Sequence, residues 1–85
     1  MTDKIREQIR IVILDTKIHS RKFAEMLSMP EIGVTFTRGY IANLKGMTQS
    51  PDLRKLRLVY LYNRHEVCRE FARRVLEAEG FQVIE

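Results

Sequence analysis

The stretch that most constrains the fold is residues 36–46, FTRGYIANLKG, which has the pattern of one short helix with both ends marked. The Thr37 hydroxyl can accept one of the backbone N–H groups that a first helical turn leaves unpaired. Gly46 can adopt the left-handed conformation that commonly ends a helix. Ile41 and Leu44 lie three residues apart, so they share a face that we expect to turn inward. Four other side chains are left to point elsewhere: Arg38, Tyr40, Asn43 and Lys45.

The chain has 85 residues, a length that suits one domain, so we treat residues 1–85 as a single domain. Hydrophobic residues make up 45% of it, enough for a globular core and too many for a disordered tail. Cys68 is the only cysteine, which excludes an intrachain disulfide and a cysteine-based zinc site and suits a reducing cytoplasm. The longest aliphatic run covers only residues 11–14, so we predict neither a secretion signal nor a membrane span.

Positive charge is concentrated in the middle of the chain. Residues 16–64 hold nine Lys and Arg against three Asp and Glu, whereas residues 65–85 hold three against five. A basic middle is what a surface that binds a polyanion requires. The alternative is an ordinary solvated face, which charge runs often form.

The pattern of apolar residues predicts helices at both ends of the chain. In residues 3–15 the apolar side chains recur at helical spacing from Ile5 onward, although Ile9, Ile11 and Ile13 also alternate as in a strand. We favour the helix because its pattern begins earlier. Toward the other end, a stripe at spacings of three and four predicts a helix that stops near Gly80: Val67, Cys68, Phe71, Ala72, Val75 and Leu76. Residues 81–85 are then a short strand or an irregular tail.

Two more helices are predicted on either side of residues 36–46. Ser20 is the predicted cap of one, with Phe23, Ala24 and Leu27 on its inward face. The other begins at SPD, with Ser50 as the cap and Pro51 at the first helical position. We expect it to be interrupted at residues 63–65, and the alternative is one continuous helix into the last stripe. Between the first of these helices and residue 36, Pro30 and Gly33 break any helix, so residues 28–35 form a loop.

Three segments of the chain share a pattern with one known family. They are residues 16–27, TKIHSRKFAEML; residues 36–46; and residues 50–56, SPDLRKL. In that order, they resemble the first loop and second helix, the recognition helix and the start of the fourth helix of the Cro and phage-repressor (XRE) family of helix-turn-helix proteins. The resemblance implies an all-α, lambda-repressor-like bundle of about five short helices. The chain departs from the family in residues 28–35, because the family's turn has about three or four residues.

The resemblance assigns two groups of side chains to double-stranded DNA. The base contacts would be Thr37, Arg38, Tyr40 and Asn43. The phosphate contacts would be Ser20, Arg21, Lys22, Lys45, Arg54 and Lys55. Arg38 is the candidate for guanine and Asn43 for adenine, since these side chains form bidentate hydrogen bonds with those bases. The alternative is that Tyr40 packs on the core and Asn43 belongs to an unused surface.

The last helix and the tail hold more apolar side chains than a small core requires. We interpret six of them as a two-fold interface between copies of the chain: Phe71, Val75, Leu76, Phe81, Val83 and Ile84. The alternative is that the tail folds back onto the core of its own chain.

The resemblance implies a small transcriptional regulator, most simply a repressor of a phage, plasmid or other mobile element, acting as a homodimer. A second hypothesis is an antiactivator or antitoxin-like module that has lost DNA binding and sequesters a regulator protein. Residues 28–35, Gly39 and the apolar tail motivate it. We predict no catalytic residue, metal or cofactor, because His19 and His65 have no cysteine at metal-ligand spacing and Cys68 lies in an apolar stripe.

Overall fold

The computed structural model describes residues 3–81, which form five α-helices and no β-strand. The helices are α1 (Asp3–Asp15), α2 (Ser20–Leu27), α3 (Arg38–Lys45), α4 (Leu53–Tyr62) and α5 (Glu66–Ala78). A single 3-10 turn, Pro30–Ile32, lies between α2 and α3. The predicted all-α bundle of about five short helices is therefore confirmed, and residues 3–15 are a helix and not a strand. None of these helices is both long enough and apolar enough to cross a bilayer.

One core holds the helices together. Phe23 of α2 and Phe71 of α5 meet at its centre, with their ring centroids 5.1 Å apart in an edge-to-face arrangement. Ile9 and Ile13 of α1 and Ile41 of α3 are also buried there. Helix α1 packs on α3 and α5, α2 packs on α3 and α5, and α4 packs on α5. Helices α2 and α3 therefore form a pair. The inward side chains of the pair pack in the core, and its outward side chains are exposed to solvent.

The long connection between α2 and α3 is a folded element. Met29 and Val34 exchange backbone hydrogen bonds of 2.6 and 3.1 Å, and both side chains are buried in the core. Gly33 lies between them at φ 77°, a left-handed conformation that glycine adopts without steric cost. Val34 thus lies in the core, while Ile32 is left exposed.

Polar side chains close the base of this connection. The Ser28 hydroxyl donates to the Ala24 carbonyl at 2.8 Å and accepts from the Phe36 backbone N–H at 2.9 Å. The buried Asn63 amide, in the turn after α4, donates to the Met26 carbonyl at 2.9 Å. The Asn63 bond satisfies a carbonyl of the last turn of α2, and the Ser28 hydroxyl joins the end of α2 to Phe36, so the connection is anchored at both of its ends.

Three predicted helix ends differ from those in the structure. Ser20 is the first residue of α2 and not its cap, a position held by His19 without a side-chain bond. Asp52, not Ser50, caps α4, because its carboxylate accepts from the backbone N–H groups of the next turn. Gly46 has φ −80°, and the left-handed residue after α3 is Met47 at φ 62°.

The other predicted ends are confirmed. Thr37 caps α3 by accepting the Tyr40 backbone N–H at 3.1 Å. The break at residues 63–65 separates α4 from α5, and Gly80 follows α5 with φ 86°. The strand or tail predicted for residues 81–85 lies outside the described residues, apart from Phe81.

Candidate nucleic-acid interface

The outward face of α3 is built of small and polar residues. Ile41 and Leu44 point into the core, as their spacing predicts. Arg38, Gly39 and the segment 42–43 are exposed on the opposite side. The Thr37 hydroxyl already accepts the Tyr40 backbone N–H and so fixes the start of the helix. Its remaining hydrogen-bonding capacity is all that is left for a base.

An open groove of about 760 Å³ runs between this face and the first turns of α2. Its α2 wall carries His19, Ser20, Arg21, Lys22 and Glu25, and its α3 wall carries Arg38, Gly39 and Ala42. Four predicted contacts, Ser20, Arg21, Lys22 and Arg38, therefore line one groove although up to 18 positions separate them in the sequence.

The cations of this groove have no partner within residues 3–81. Arg21, Lys22 and Arg38 are exposed, and their side chains make no ion pair or hydrogen bond in that range. Arg21 and Lys22 stand in the first turn of α2, where the helix dipole disfavours positive charge. The uncapped N–H groups of the same turn favour an anion. Both features suit a phosphate group near the start of α2.

Lys45 joins the two helices of the groove. Its ammonium donates to the Ser20 hydroxyl at 2.9 Å, from the last turn of α3 to the first residue of α2. This contact uses one of the three donors of the lysine, so two remain for a phosphate. The predicted Ser20 and Lys45 contacts thus also have a structural role: they fix α3 relative to α2.

Tyr40 does not face the groove, which corrects its prediction as a base contact. Its hydroxyl accepts the Asp52 backbone N–H at 2.6 Å and donates to the Ser50 carbonyl at 3.4 Å. Its ring packs on Phe36 with centroids 5.7 Å apart. Burial raises the pKa of the phenol above its usual value. Tyr40 instead packs partly buried against the core, and its hydroxyl holds the turn between α3 and α4.

The α4 cations divide into one free and one engaged side chain. Arg54 is exposed and its guanidinium has no ion pair among the described residues. The Lys55 ammonium donates to the Thr35 carbonyl at 3.0 Å and lies 5.5 Å from the centre of the Phe36 ring. Lys55 therefore holds the end of the long connection against α4, and we retain only Arg54 as an unengaged phosphate contact on this helix.

Gly39 has no structural need to be glycine. A Cβ built there meets only the Thr37 hydroxyl oxygen, at 3.9 Å, which is ordinary van der Waals distance. Glycine within a helix costs roughly 0.5–1 kcal/mol relative to alanine. Glycine at position 39 thus lowers the free energy of unfolding without any packing contact of the chain that requires it. A ligand that approaches the backbone closely is a physical reason for this choice.

The predicted dimer interface is wrong for three of its six residues. Phe71, Val75 and Leu76 are at most 4% exposed because α5 turns them into the core of its own chain. They are unavailable to a second copy without unfolding. Phe81 is 51% exposed, while Val83 and Ile84 lie outside the described residues.

Four residues that line the groove were not predicted as DNA contacts: His19, Glu25, Gly39 and Ala42. Helical spacing contains a signal for two of them. Glu25 lies four residues after Arg21, and Ala42 lies four residues after Arg38, so each shares a face with a predicted contact. Glu25 is the one carboxylate among the residues lining the groove. The acceptor that it supplies is of the kind that can bind the N4 amino group of cytosine.

Reactive side chains are few in the described part of the chain. Cys68 is fully buried, and this burial raises the pKa of its thiol to about 12, so the thiol stays protonated at neutral pH. No group of three metal-ligating side chains occurs within residues 3–81. His65 accepts a hydrogen bond from its neighbour Arg64 at 3.4 Å.

No known protein family, no characterised protein and no solved structure was found to match the chain.

Proposed function

We propose that this protein is a small sequence-specific DNA-binding regulator that uses α3 as its recognition helix and acts as a homodimer. The observation that carries the proposal is the groove between α2 and α3, in which three cations with no ion pair among residues 3–81 surround the small outward face of a capped helix. A polyanion is the ligand that such a surface fits best. Occupancy of a promoter is the simplest mode of action of a DNA-binding domain, which makes repression the expected sign.

The proposed roles follow from position: Arg21, Lys22 and Arg38 line the groove, whereas Asn43 and Arg54 are exposed outside its lining. Arg38, one residue after the Thr37 cap, is the candidate for guanine. Asn43 is exposed on α3 and is the candidate for adenine. Four cations would hold phosphates, which fix the register on the duplex without reading its sequence: Arg21, Lys22, Lys45 and Arg54.

The long connection is compatible with this function. Its extra residues are closed by the Met29–Val34 bonds, and α2 still packs on α3. The Lys45–Ser20 bond joins the two helices directly, on the side of the groove. The connection therefore enlarges the motif without separating its two helices.

We further propose that the protein is cytoplasmic and not an enzyme. A free, buried Cys68 is compatible with a reducing compartment. Catalysis by a Cys–His pair needs an accessible thiolate, and the raised pKa of the Cys68 thiol opposes one.

The test is selection of binding sites from randomised duplex DNA, followed by titration of variants on the selected site. We expect Arg38→Ala to weaken specific binding by about 1–3 kcal/mol and to relax the preference at one base pair. Arg57→Ala, an exposed arginine of α4 outside the groove, is the matched control and should keep the preference. Failure to select any sequence, or a selected preference that is the same with Arg38→Ala, refutes the proposed function.

A second candidate function is sequestration of a regulator protein. It is favoured by Ile32 in the long connection and by Leu61 and Tyr62 at the end of α4, which are large apolar side chains left 46–66% exposed. A sequestering protein should co-purify with its partner and show no salt-dependent shift of DNA. Pull-down from the native host, run beside the DNA selection, distinguishes the two functions.

A further inference from the structure

We propose that a second copy of this chain docks at the cleft between the long connection and the α4–α5 turn. This inference rests on the homodimer part of the proposed function, and it supplies the interface that the buried α5 residues cannot form. The cleft has a volume of about 320 Å³ and lies between the end of α2, the long connection and the α4–α5 turn. Its functional lining consists of Glu25, Glu31, Tyr62, Asn63, Arg64 and His65.

The floor of the cleft is rigid. Asn63 is 4% exposed, and its side chain bonds the Met26 carbonyl on one side and the His65 backbone N–H, at 2.8 Å, on the other. The Arg69 guanidinium donates to the Asn63 carbonyl at 2.7 Å. A preformed floor of this kind lowers the ordering cost that association must overcome.

The charges of the cleft are complementary to those of a second copy. Glu31 lies on the connection and Arg64 on the α4–α5 turn, and neither forms an ion pair within residues 3–81. A two-fold interface brings the same patch of both copies together, so a carboxylate on one side can meet a guanidinium on the other, twice. A patch that carries both signs is thus self-complementary, whereas the groove between α2 and α3 is mostly basic and repels its own copy.

Apolar side chains border the same cleft. Tyr62, part of its lining, is 66% exposed and is the most exposed large hydrophobic side chain of the described residues. Ile32, next to Glu31, is 47% exposed. Tyrosine is enriched at the buried centre of interfaces, where its ring contributes area at little entropic cost. The two sites share Glu25, but the cations Arg21, Lys22 and Arg38 line only the groove and Met26 lines only the cleft, so a second copy in the cleft leaves those cations accessible.

The test is a charge exchange read by sedimentation velocity in the absence of DNA. Glu31→Arg alone and Arg64→Glu alone should each raise the dimer Kd by at least about tenfold, because each places like charges opposite each other twice. A mixture of the two single variants should recover the dimer, since both contacts of the mixed pair are again Glu–Arg. Arg57→Glu makes the same charge change outside the cleft and should leave the Kd unchanged.

Recovery in the mixture supports the inference and also shows that both single variants fold. The inference is overturned if either single variant dimerises like the wild type, or if the mixture stays monomeric. It is also overturned if the wild type is a monomer at tens of micromolar. A further contradicting result is loss of the dimer on Leu14→Arg, which changes an exposed apolar residue of α1 outside the cleft. Titration of the same variants on DNA distinguishes failure of the dimer interface from failure of DNA binding. Glu31→Arg and Arg64→Glu should still bind a half-site. If the wild type itself binds no half-site, that result counts against the proposed function and not against the dimer interface.

Discussion

Replacement of Gly39 by alanine should strengthen the fold and weaken DNA binding. Gly39 is the second residue of α3, and the added Cβ would meet nothing closer than 3.9 Å. Because glycine is less favourable than alanine in a helix, we expect Gly39→Ala to raise the free energy of unfolding by about 0.5–1 kcal/mol. For a domain of this size that corresponds to a rise in Tm of roughly 2–8 °C.

The same methyl group would lie on the surface that we assign to DNA. If the duplex approaches the α3 backbone at this point, the methyl group overpacks the contact and costs about 1–3 kcal/mol of binding, a rise in Kd of roughly 5- to 150-fold. Thermal unfolding followed by circular dichroism measures the first effect, and fluorescence anisotropy with a selected duplex measures the second. Opposite signs in one variant exclude misfolding as the cause of weaker binding.

Ala42→Gly is the matched control, since Ala42 lies on the same exposed face of α3. It should lower the free energy of unfolding by about 1 kcal/mol while leaving the approach of a duplex open. The reasoning is refuted if Gly39→Ala binds the duplex as tightly as the wild type. A lower Tm for Gly39→Ala would contradict the conformation assigned to α3.

Three further predictions concern the scaffold. Asn63→Ala should lower the free energy of unfolding in urea by about 2–4 kcal/mol, because it leaves buried backbone groups without partners, whereas the exposed Asn43→Ala should change it by less than about 0.5 kcal/mol. Tyr40→Phe should cost about 0.5–1.5 kcal/mol in the same assay, since the Asp52 N–H loses its acceptor; an unchanged value would contradict the role of the hydroxyl. Burial raises the pKa of the Cys68 thiol from its ordinary 9.0 to about 12. Just above pH 9 the thiol should therefore react with iodoacetamide far more slowly in the folded chain than in the chain unfolded in urea, and equal rates would contradict the burial.

The Cys68 pKa also sets the sign of a pH effect on stability. The folded value of about 12 lies above the ordinary value of 9.0, so above pH 9 the unfolded chain binds fewer protons at this site than the folded chain. The contribution of the protonated thiol to the free energy of unfolding is therefore complete below pH 9. It is lost progressively as the pH rises from 9 toward the pKa of the folded state.

Helices were predictable where local periodicity determines them. The spacing of Ile41 and Leu44 identifies the inward face of α3, and Thr37 marks its start, because both signals lie within one or two turns. Periodicity does not tell what covers a face, which is why Phe71 and Val75 could be interpreted as an interface although α5 turns them into its own core. Ser50 and Asp52 are both good caps, and only the folded backbone selects Asp52.

The candidate site was predictable as a set of charged positions but not as a surface. The pattern of apolar residues predicts the helices on which Arg21 and Arg38 lie. The groove that these two side chains share depends on how α2 packs on α3. The bond from Asn63 to the Met26 carbonyl spans 37 positions, and no local signal predicts it. Lys55 likewise bonds the Thr35 carbonyl, 20 positions away, so its engagement within the chain could be found only from the structure.

The most direct test of the central claim is the salt dependence of binding to duplex DNA. Four cations, Arg21, Lys22, Lys45 and Arg54, are assigned to phosphates, so the logarithm of the association constant should fall against the logarithm of salt concentration with a slope of about −3 to −4 per protomer. The double variant Arg21→Ala/Lys22→Ala should reduce the steepness of that slope by about two. A slope near zero for the wild type, or an unchanged slope for the double variant, would contradict DNA binding through the groove between α2 and α3.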